Sequence, residues 1–288
     1  MKKVSLAVVA AAMTATLTAC PGPGARVPES PQPSELSGTV SLLKVQPDGE
    51  KVKLEKVAWN LGEQQVNLAL LSDKTDLSNT DTALAPVATG TVSAGGQLSL
   101  KLPQTVDAGL LSGNLWTDAS GWDNMLGSNC TGNQPTVSDP AAQVGLGTLL
   151  VGTQPQGLLL AGPEPVFTYE NLKFSGSAQA GTVMYADRAT TVRSTVSCTY
   201  NTSDSDTSAD DVRFTYSVNL NLKRGWNSVV VRGQGQGQQQ SGTPPLFSAN
   251  ATLSLVSEKL PAAWMLPVLP QGAEGPGSAL PLGLNTLR

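Results

Sequence analysis

The sequence predicts an all-β protein built as two antiparallel β-sandwich-like domains, and three observations support that fold class. Apolar and polar residues alternate along many segments, most regularly in VRFTYSVNLNL (212–222), and a period of two puts one set of side chains on each face of a strand. The chain holds 29 Gly and 20 Pro, which supply the turns between short strands. No window of a dozen residues shows a convincing helical stripe of apolar residues.

The segment 212–222 also predicts its own connection. Its even-numbered residues, Val212 to Leu222, face one side, and Lys223-Arg224-Gly225 follows. Because glycine accepts positive φ, Gly225 suits a three-residue hairpin loop, and we expect 212–222 to pair with WNSVVVRG (226–233). Further strands are expected at 36–45, 51–59, 65–71, 87–92, 97–102, 109–116, 146–151, 157–161, 180–185, 190–200 and 246–257.

The N-terminus carries the most specific motif in the chain. Lys2 and Lys3 precede an apolar run from 4 to 16, which is shorter than the roughly 20 residues that cross a bilayer as a helix and has the proportions of a secretory signal. Leu17-Thr18-Ala19-Cys20 resembles the lipobox of bacterial lipoproteins. The resemblance implies cleavage before Cys20, a diacylglycerol thioether on that cysteine and usually an acylated amine, with palmitate among the acyl chains. These chains would anchor the protein to a membrane in the cell envelope, outside the cytoplasm. The alternatives are an ordinary cleaved signal and a cysteine placed there by chance.

Composition divides the rest of the chain. Residues 21–33 hold five Pro and two Gly and cannot bury enough surface to fold. GQGQGQQQSGTPP (233–245) is polar and of low complexity, which predicts a long mobile loop, and the final residues have repeated Pro and no period, although Trp264, Met265 and Leu266 could dock on the body. The predicted segments are a signal peptide (1–19), a disordered lipidated tether (20–35), a β-sandwich (36–118), a second β-rich domain (119–260) and an extended Pro-rich tail (261–288).

Charge and histidine content exclude several function classes. The chain has 18 basic and 22 acidic residues and no basic cluster, so we expect no nucleic-acid partner. It has no histidine, which rules out a Ser-His-Asp triad, a Cys-His pair and a zinc site with imidazole ligands. We therefore predict no enzyme activity, no catalytic residues and no cofactor.

The cysteines predict a disulfide. With Cys20 lipidated, Cys130 and Cys198 remain, and an even pair in an oxidising compartment favours a bond between them. The even spacing of Cys198 from Val192 and Val196 places the three on one strand face. Two free thiols are the alternative.

A second, weaker resemblance covers residues 36–103. LSGTV (36–40), VNLALL (66–71) and ATGTVSAGGQLSLKLP (88–103) are similar to the transthyretin-like, carboxypeptidase-regulatory-like domains of bacterial surface proteins. Those domains open on a Gly-x-Val strand, here Gly38 and Val40, and end on a Gly turn, an alternating strand and a Pro, here Pro103. The chain departs from that pattern at Leu98, where an aromatic is common, and in the stretch 50–61, which looks inserted. A generic seven-strand sandwich is the alternative, and neither implies catalysis.

Two clusters are weak candidates for binding sites. Asp204, Asp206 and Asp210 lie close together and could hold calcium, but the stretch lacks the EF-hand pattern, and a solvated turn is the plain interpretation. Trp116 and Trp122 flank TDASG and could stack on a sugar, or they could belong to the core. The sequence thus favours a non-catalytic structural or binding module whose partners are a membrane and an unknown envelope protein or glycan. The alternatives are a carboxylate-based, glycosidase-like hydrolase and a solute-binding lipoprotein.

Overall fold

The structure is a computed structural model of the 288-residue chain, and it describes residues 28–48, 51–71, 85–113, 130–152, 157–200, 211–240 and 246–268. The described residues are almost entirely strands, which confirms the all-β fold class. Their only helical element is a 3₁₀ turn, Ala108–Leu110. The strands are β1 (Glu35–Asp48), β2 (Lys51–Ala58), β3 (Gln64–Leu71), β4 (Pro86–Val92), β5 (Gln97–Lys101), β6 (Cys130–Val137), β7 (Val144–Val151), β8 (Gly157–Ala161), β9 (Val166–Glu170), β10 (Lys173–Ala186), β11 (Thr190–Tyr200), β12 (Asp211–Leu222), β13 (Gly225–Gln240), β14 (Leu246–Ser257) and β15 (Ala263–Val268).

Seven strands close into a ring in the order β15, β1, β5, β4, β3, β7, β8 and back to β15. β15 completes the ring because it pairs in parallel with β1, with Trp264 opposite Val40, and antiparallel with β8, with Trp264 opposite Ala161. Apolar side chains from these strands form the larger hydrophobic cluster, which includes Leu68, Leu100 and Trp264. The interior of this ring is therefore the main core.

The ring differs from the predicted segments in two ways. β15 lies in the stretch predicted to be a tail, and Trp264, Met265 and Leu266, the expected docking residues, are all buried. β7 and β8 lie after the boundary predicted near residue 118, yet β7 pairs with β3 over six residues. Both differences come from long-range pairing, which the local composition of a segment does not reveal.

β2 stands apart from the ring. It pairs with β1 alone, in an antiparallel register that runs from Ser41 opposite Ala58 to Asp48 opposite Lys51. In its described part, the stretch 50–61, which looked inserted in the sequence, thus adds an antiparallel strand beside the second half of β1. Trp59, directly after β2, is buried and its indole N–H donates to the carbonyl of Gly62 at 2.7 Å.

The remaining long strands continue the same hydrogen-bonded sheet beyond the ring, in the order β10, β13, β14, β12, β11, β6, and β10 joins them to the ring by pairing with β7 and β8. We call this continuation the second sheet. β10 and β11 are joined by residues 187–189 alone. Four strand spacings separate them along the sheet, about 19 Å if it were flat, whereas so short a connection spans at most about 15 Å. The sheet is therefore rolled, so that β10 and β11 approach each other at the end where residues 187–189 join them.

Alternate residues of the rolled sheet face inward and outward. Met184, Val192, Leu220 and Val229 come from four different strands and belong to one smaller hydrophobic cluster, so their side is the inner face. The other side is the outer face. Near the turns of β10 and β13, Tyr185 and others on the outer face join the core of the ring, and this packing adds to the pairing of β10 with β7 and β8.

Residues 233–240, the described part of the stretch predicted as a mobile loop, instead belong to a long inner strand of the second sheet. β13 runs on to Gln240, paired with β10 up to Gln238 and with β14 up to Gln240. Gly233, Gly235 and Gly237 occupy inner positions and Gln234, Gln236 and Gln238 outer ones, which is the period of a strand. Gly237 is required there, because a Cβ at this position would overlap the ring of Phe174 on β10. The prediction of a mobile loop considered only the polar, low-complexity composition of this segment and therefore missed its strand period.

Two further predictions were wrong. β12 and β13 do not form a hairpin, since β14 lies between them, parallel to β12 and antiparallel to β13. The turn is held by the buried Asn227, whose side chain bonds the N–H and carbonyl of Lys223, and Gly225 has the expected positive φ of 99°. The stretch 109–116 is not a strand in its described part, because Asp107 accepts from the N–H of Gly109 and starts the 3₁₀ turn.

Candidate functional site

The predicted site residues fall into two groups. Cys130 and Cys198 form the expected disulfide. Val192, Val196 and Cys198 share the inner face of β11 and are fully buried, as their spacing predicted. The lipidation site Cys20, the calcium candidates Asp204, Asp206 and Asp210 and the two candidate tryptophans Trp116 and Trp122 lie outside the described residues.

The disulfide fastens the edge strand of the second sheet. Cys130 begins β6 and lies opposite Cys198 in the register with β11, which shifts between Arg193 and Thr195. Most β6 side chains are exposed, so apolar burial contributes little to holding this strand. The disulfide and the backbone hydrogen bonds between β6 and β11 therefore hold this strand in place.

The N-terminal segment docks on the second sheet before β1 begins. The N–H of Ser30 donates to the carbonyl of Asn221 at 2.9 Å, and the carbonyl of Pro31 accepts from the N–H of Ser228 at 2.8 Å. The Gln32 amide donates to the carbonyl of Arg224 at 2.7 Å. Ser30 is buried and its hydroxyl bonds that of Ser257. Part of the predicted tether, 30–35, thus belongs to the folded body.

A cavity of about 470 Å³ lies between this docked segment and the outer face of the second sheet. Three of its four charged lining residues form ion pairs: Arg232 bonds Glu258 at 2.6 Å, and Glu29 bonds Lys223 beside the cavity at 2.6 Å. The two carboxylates therefore sit in one cavity, each with a cation beside it. The lining residues are Pro28, Glu29, Pro31, Asn219, Arg232, Val256, Ser257, Glu258 and Lys259.

Asp187 links the turns at this end of the molecule. Its carboxylate accepts from the N–H of Gln143 at 2.8 Å and from the Arg188 guanidinium at 3.0 Å. Burial would raise the pKa of Asp187, but the hydrogen bonds from Arg188 and Gln143 and the charges of Arg188 and Arg224 outweigh that effect, and the pKa lies below its usual value. Because Gln143 directly precedes β7, this carboxylate connects the β10–β11 turn to the ring.

The outer face of β10, β13 and β14 carries a group of uncharged polar side chains that the sequence analysis missed. Two adjacent rows cross the three strands in register, Ser175–Gln236–Asn250 and Ser177–Gln234–Thr252. Polar groups also occupy the rows on either side. We call these ten residues the polar strip: Ser175, Ser177, Gln179, Gln234, Gln236, Gln238, Ser248, Asn250, Thr252 and Ser254.

The polar strip continues across the sheet and toward the cavity. Thr252 lies opposite Thr215 on β12, which lies opposite Ser197 on β11. The row of Gln179 and Ser254 contains Arg232, a lining residue of the cavity. The alternation of Gly and Gln over 233–238 is the signal that could have revealed this surface, had it been treated as a strand period.

The described residues contain no group of three His, Cys, Asp or Glu side chains placed to hold a metal ion. Within the same ranges, no helix is long and apolar enough to cross a membrane. No family model, no curated protein and no solved structure matches the chain. The resemblances to the lipobox and to the transthyretin-like domains therefore stay predictions.

Proposed function

We propose that this protein is a cell-envelope lipoprotein that does no catalysis and serves as a binding module, held to a membrane by a lipid on Cys20. The observation that best supports this proposal is the docking of Ser30, Pro31 and Gln32 on the second sheet. The folded part of the chain begins only about ten residues after Cys20. A lipid on Cys20 would therefore hold the folded part close to the membrane.

The docked segment limits the reach of such a tether. Ten residues lead from Cys20 to Ser30, and an extended chain covers at most about 3.6 Å per residue, or about 36 Å for ten. Ser30 and Gln32 dock beside the β12–β13 turn, at Lys223 and Arg224. That end of the second sheet would therefore lie nearest the membrane, and the opposite end of its long strands would point away.

The disulfide supports an extracytoplasmic location. Structural disulfides persist in oxidising compartments and are rare in the cytosol. The bond between Cys130 and Cys198 uses both cysteines other than Cys20. Cys20 would thus be available for the lipid without competing for either partner.

A carboxylate-based hydrolase is the second candidate, because Glu29 and Glu258 line the same cavity. A glycosidase needs one carboxyl group that keeps its proton to act as the general acid. Each of these carboxylates is instead engaged in an ion pair, with Lys223 or Arg232. The non-catalytic proposal therefore remains the better one. A solute-binding lipoprotein would typically alternate strands with helices, which the described residues do not do.

The anchor is tested by replacing Cys20. We expect Cys20→Ser to abolish incorporation of radiolabelled palmitate and to release the protein from the membrane fraction. The matched control is the double variant Cys130→Ser/Cys198→Ser, which removes the disulfide and should keep both the label and the membrane association. Unchanged labelling of the Cys20→Ser protein would refute the lipid anchor.

A further inference from the structure

The polar strip is unusual for the outer face of a sheet because none of its ten members is charged or apolar. Solvated strand faces ordinarily carry lysine and glutamate, which keep sheets soluble and apart. On β10, β13 and β14 the rows of the strip contain two charged residues, Lys173 at one corner and Arg232 in the middle of the opposite end row, and the next strand β12 places Asp211 opposite Ser248 and Arg213 opposite Asn250. Lys173 lies opposite Glu170 on β9, and Arg232 is paired with Glu258. The ten positions of the strip itself carry no charge, and charged residues lie only around it.

The hydrogen-bonding groups of the strip are open to a ligand. Gln236, Gln238, Asn250 and Thr252 are exposed, and the other six members are half-buried. Within the described part of the chain, Ser175 is the one member whose side chain has a partner, the hydroxyl of Thr168. Amides offer two donors and one acceptor oxygen, and hydroxyls offer both functions, so the strip presents a mixed array of donors and acceptors.

The array is regular. Neighbouring strands lie about 4.8 Å apart, and side chains on one face repeat about every 6.8 Å along a strand. The three strands β10, β13 and β14 are directly adjacent, and the register between them has no shift. Since the backbone ladder holds every position, the polar groups are arranged before a ligand arrives, which lowers the entropy lost on binding.

We propose that the polar strip is a binding site for an uncharged polysaccharide. Each neutral hydrogen bond contributes little net free energy in water, so such a surface gains affinity only from a ligand that meets many groups at once. A polysaccharide chain carries hydroxyls on every ring at short, regular intervals and needs no charged partner. The neutral area matches that chemistry. This inference rests on the proposed function only in placing the strip outside the cytoplasm.

Other partners fit the strip less well. A nucleic acid needs cations along its phosphates, and a lipid surface needs apolar or basic side chains. A second copy of the chain would need apolar area at the centre of the contact. The strip offers none of these.

The test is co-sedimentation of the purified full-length chain, in detergent, with three insoluble uncharged polysaccharides: cellulose, chitin and granular starch. We expect retention on at least one of them, unchanged in 0.5 M salt because no charges are involved. The double variant Gln234→Glu/Gln236→Glu keeps side-chain size but replaces two donors with charges, and we expect at least tenfold weaker binding. Gln236→Ala, which introduces no charge, should weaken binding several-fold.

The matched control is Gln65→Glu/Gln97→Glu, which makes the same change at exposed positions on two ring strands. It should bind like the wild type. Failure to bind all three polysaccharides, equal binding by the strip variants, release by salt, or self-association through the strip would each overturn the proposal. None of these outcomes bears on the anchor, which palmitate labelling tests separately.

Discussion

Cys130 lies directly opposite Cys198 in the ladder between β6 and β11, and the disulfide joins the two strands at that point. The bond closes a loop between residues 68 apart in sequence. In the chain-entropy model, a loop of this length stabilises the folded state by about 4 kcal/mol. The bond also holds an edge strand that buries little apolar surface.

We therefore expect Cys130→Ser/Cys198→Ser to lower the free energy of unfolding by about 2–5 kcal/mol. At this chain length each kcal/mol corresponds to about 2–4 °C in melting temperature. Calorimetry of the variant against the wild type measures the difference, and Cys20→Ser, which leaves the bond intact, is the control. Equal melting temperatures would mean that packing and the ladder hold β6 without the bond.

The ring should depend on Trp264. Its side chain is 1% exposed in the main core, and its indole N–H donates to the carbonyl of Ser37 at 3.1 Å. We expect Trp264→Ala to cost about 3–5 kcal/mol, because it removes a large buried side chain and leaves a cavity. Val268→Ala, on the same strand but at an exposed position, should change stability by less than about 0.5 kcal/mol. Denaturant unfolding compares them, and similar midpoints would contradict the role of β15 in closing the ring.

Asp187 should make stability depend on pH. Its pKa in the folded protein lies below the ordinary 3.8, so the unfolded chain binds the proton more tightly. The stabilisation is therefore complete above about pH 4 and is lost as the pH falls through the folded-state pKa.

We expect Asp187→Asn to lower the free energy of unfolding by about 1 kcal/mol at neutral pH, a modest value because the side chain is 25% exposed and screened by water. The gap should close at strongly acidic pH. Denaturant titrations at several pH values measure it, with the exposed Glu164→Gln as control. A gap that persists undiminished in acid would show that the lost contact is not electrostatic.

The cavity should not support turnover. We expect the full-length protein to hydrolyse no generic ester, peptide or glycoside substrate, because Glu29 and Glu258 are both held as ion pairs. Assays of the wild type, Glu29→Gln and Glu258→Gln with chromogenic substrates test this expectation. Activity that disappears in either variant would establish the hydrolase instead.

The sequence by itself determined the fold class and the disulfide. Both depend on local or compositional properties. A period of two sets which residues of a strand share a face, and in 190–200 it placed Cys198 beside Val192 and Val196 correctly. The disulfide followed from counting cysteines. The strand between 190 and 200 was predicted with its observed ends for the same reason.

Only the tertiary structure decided how the strands are arranged. β15 closes the ring by pairing with β1 more than 200 residues earlier, and β14 separates β12 from β13 although a tight turn joins those two. The local sequence of a strand does not specify which strand pairs with it, because every strand edge presents the same backbone N–H and carbonyl groups. The polar strip depends on the same cause: Gln234 and Gln236 become a surface only when β10 and β14 bring serine, threonine and asparagine beside them in register.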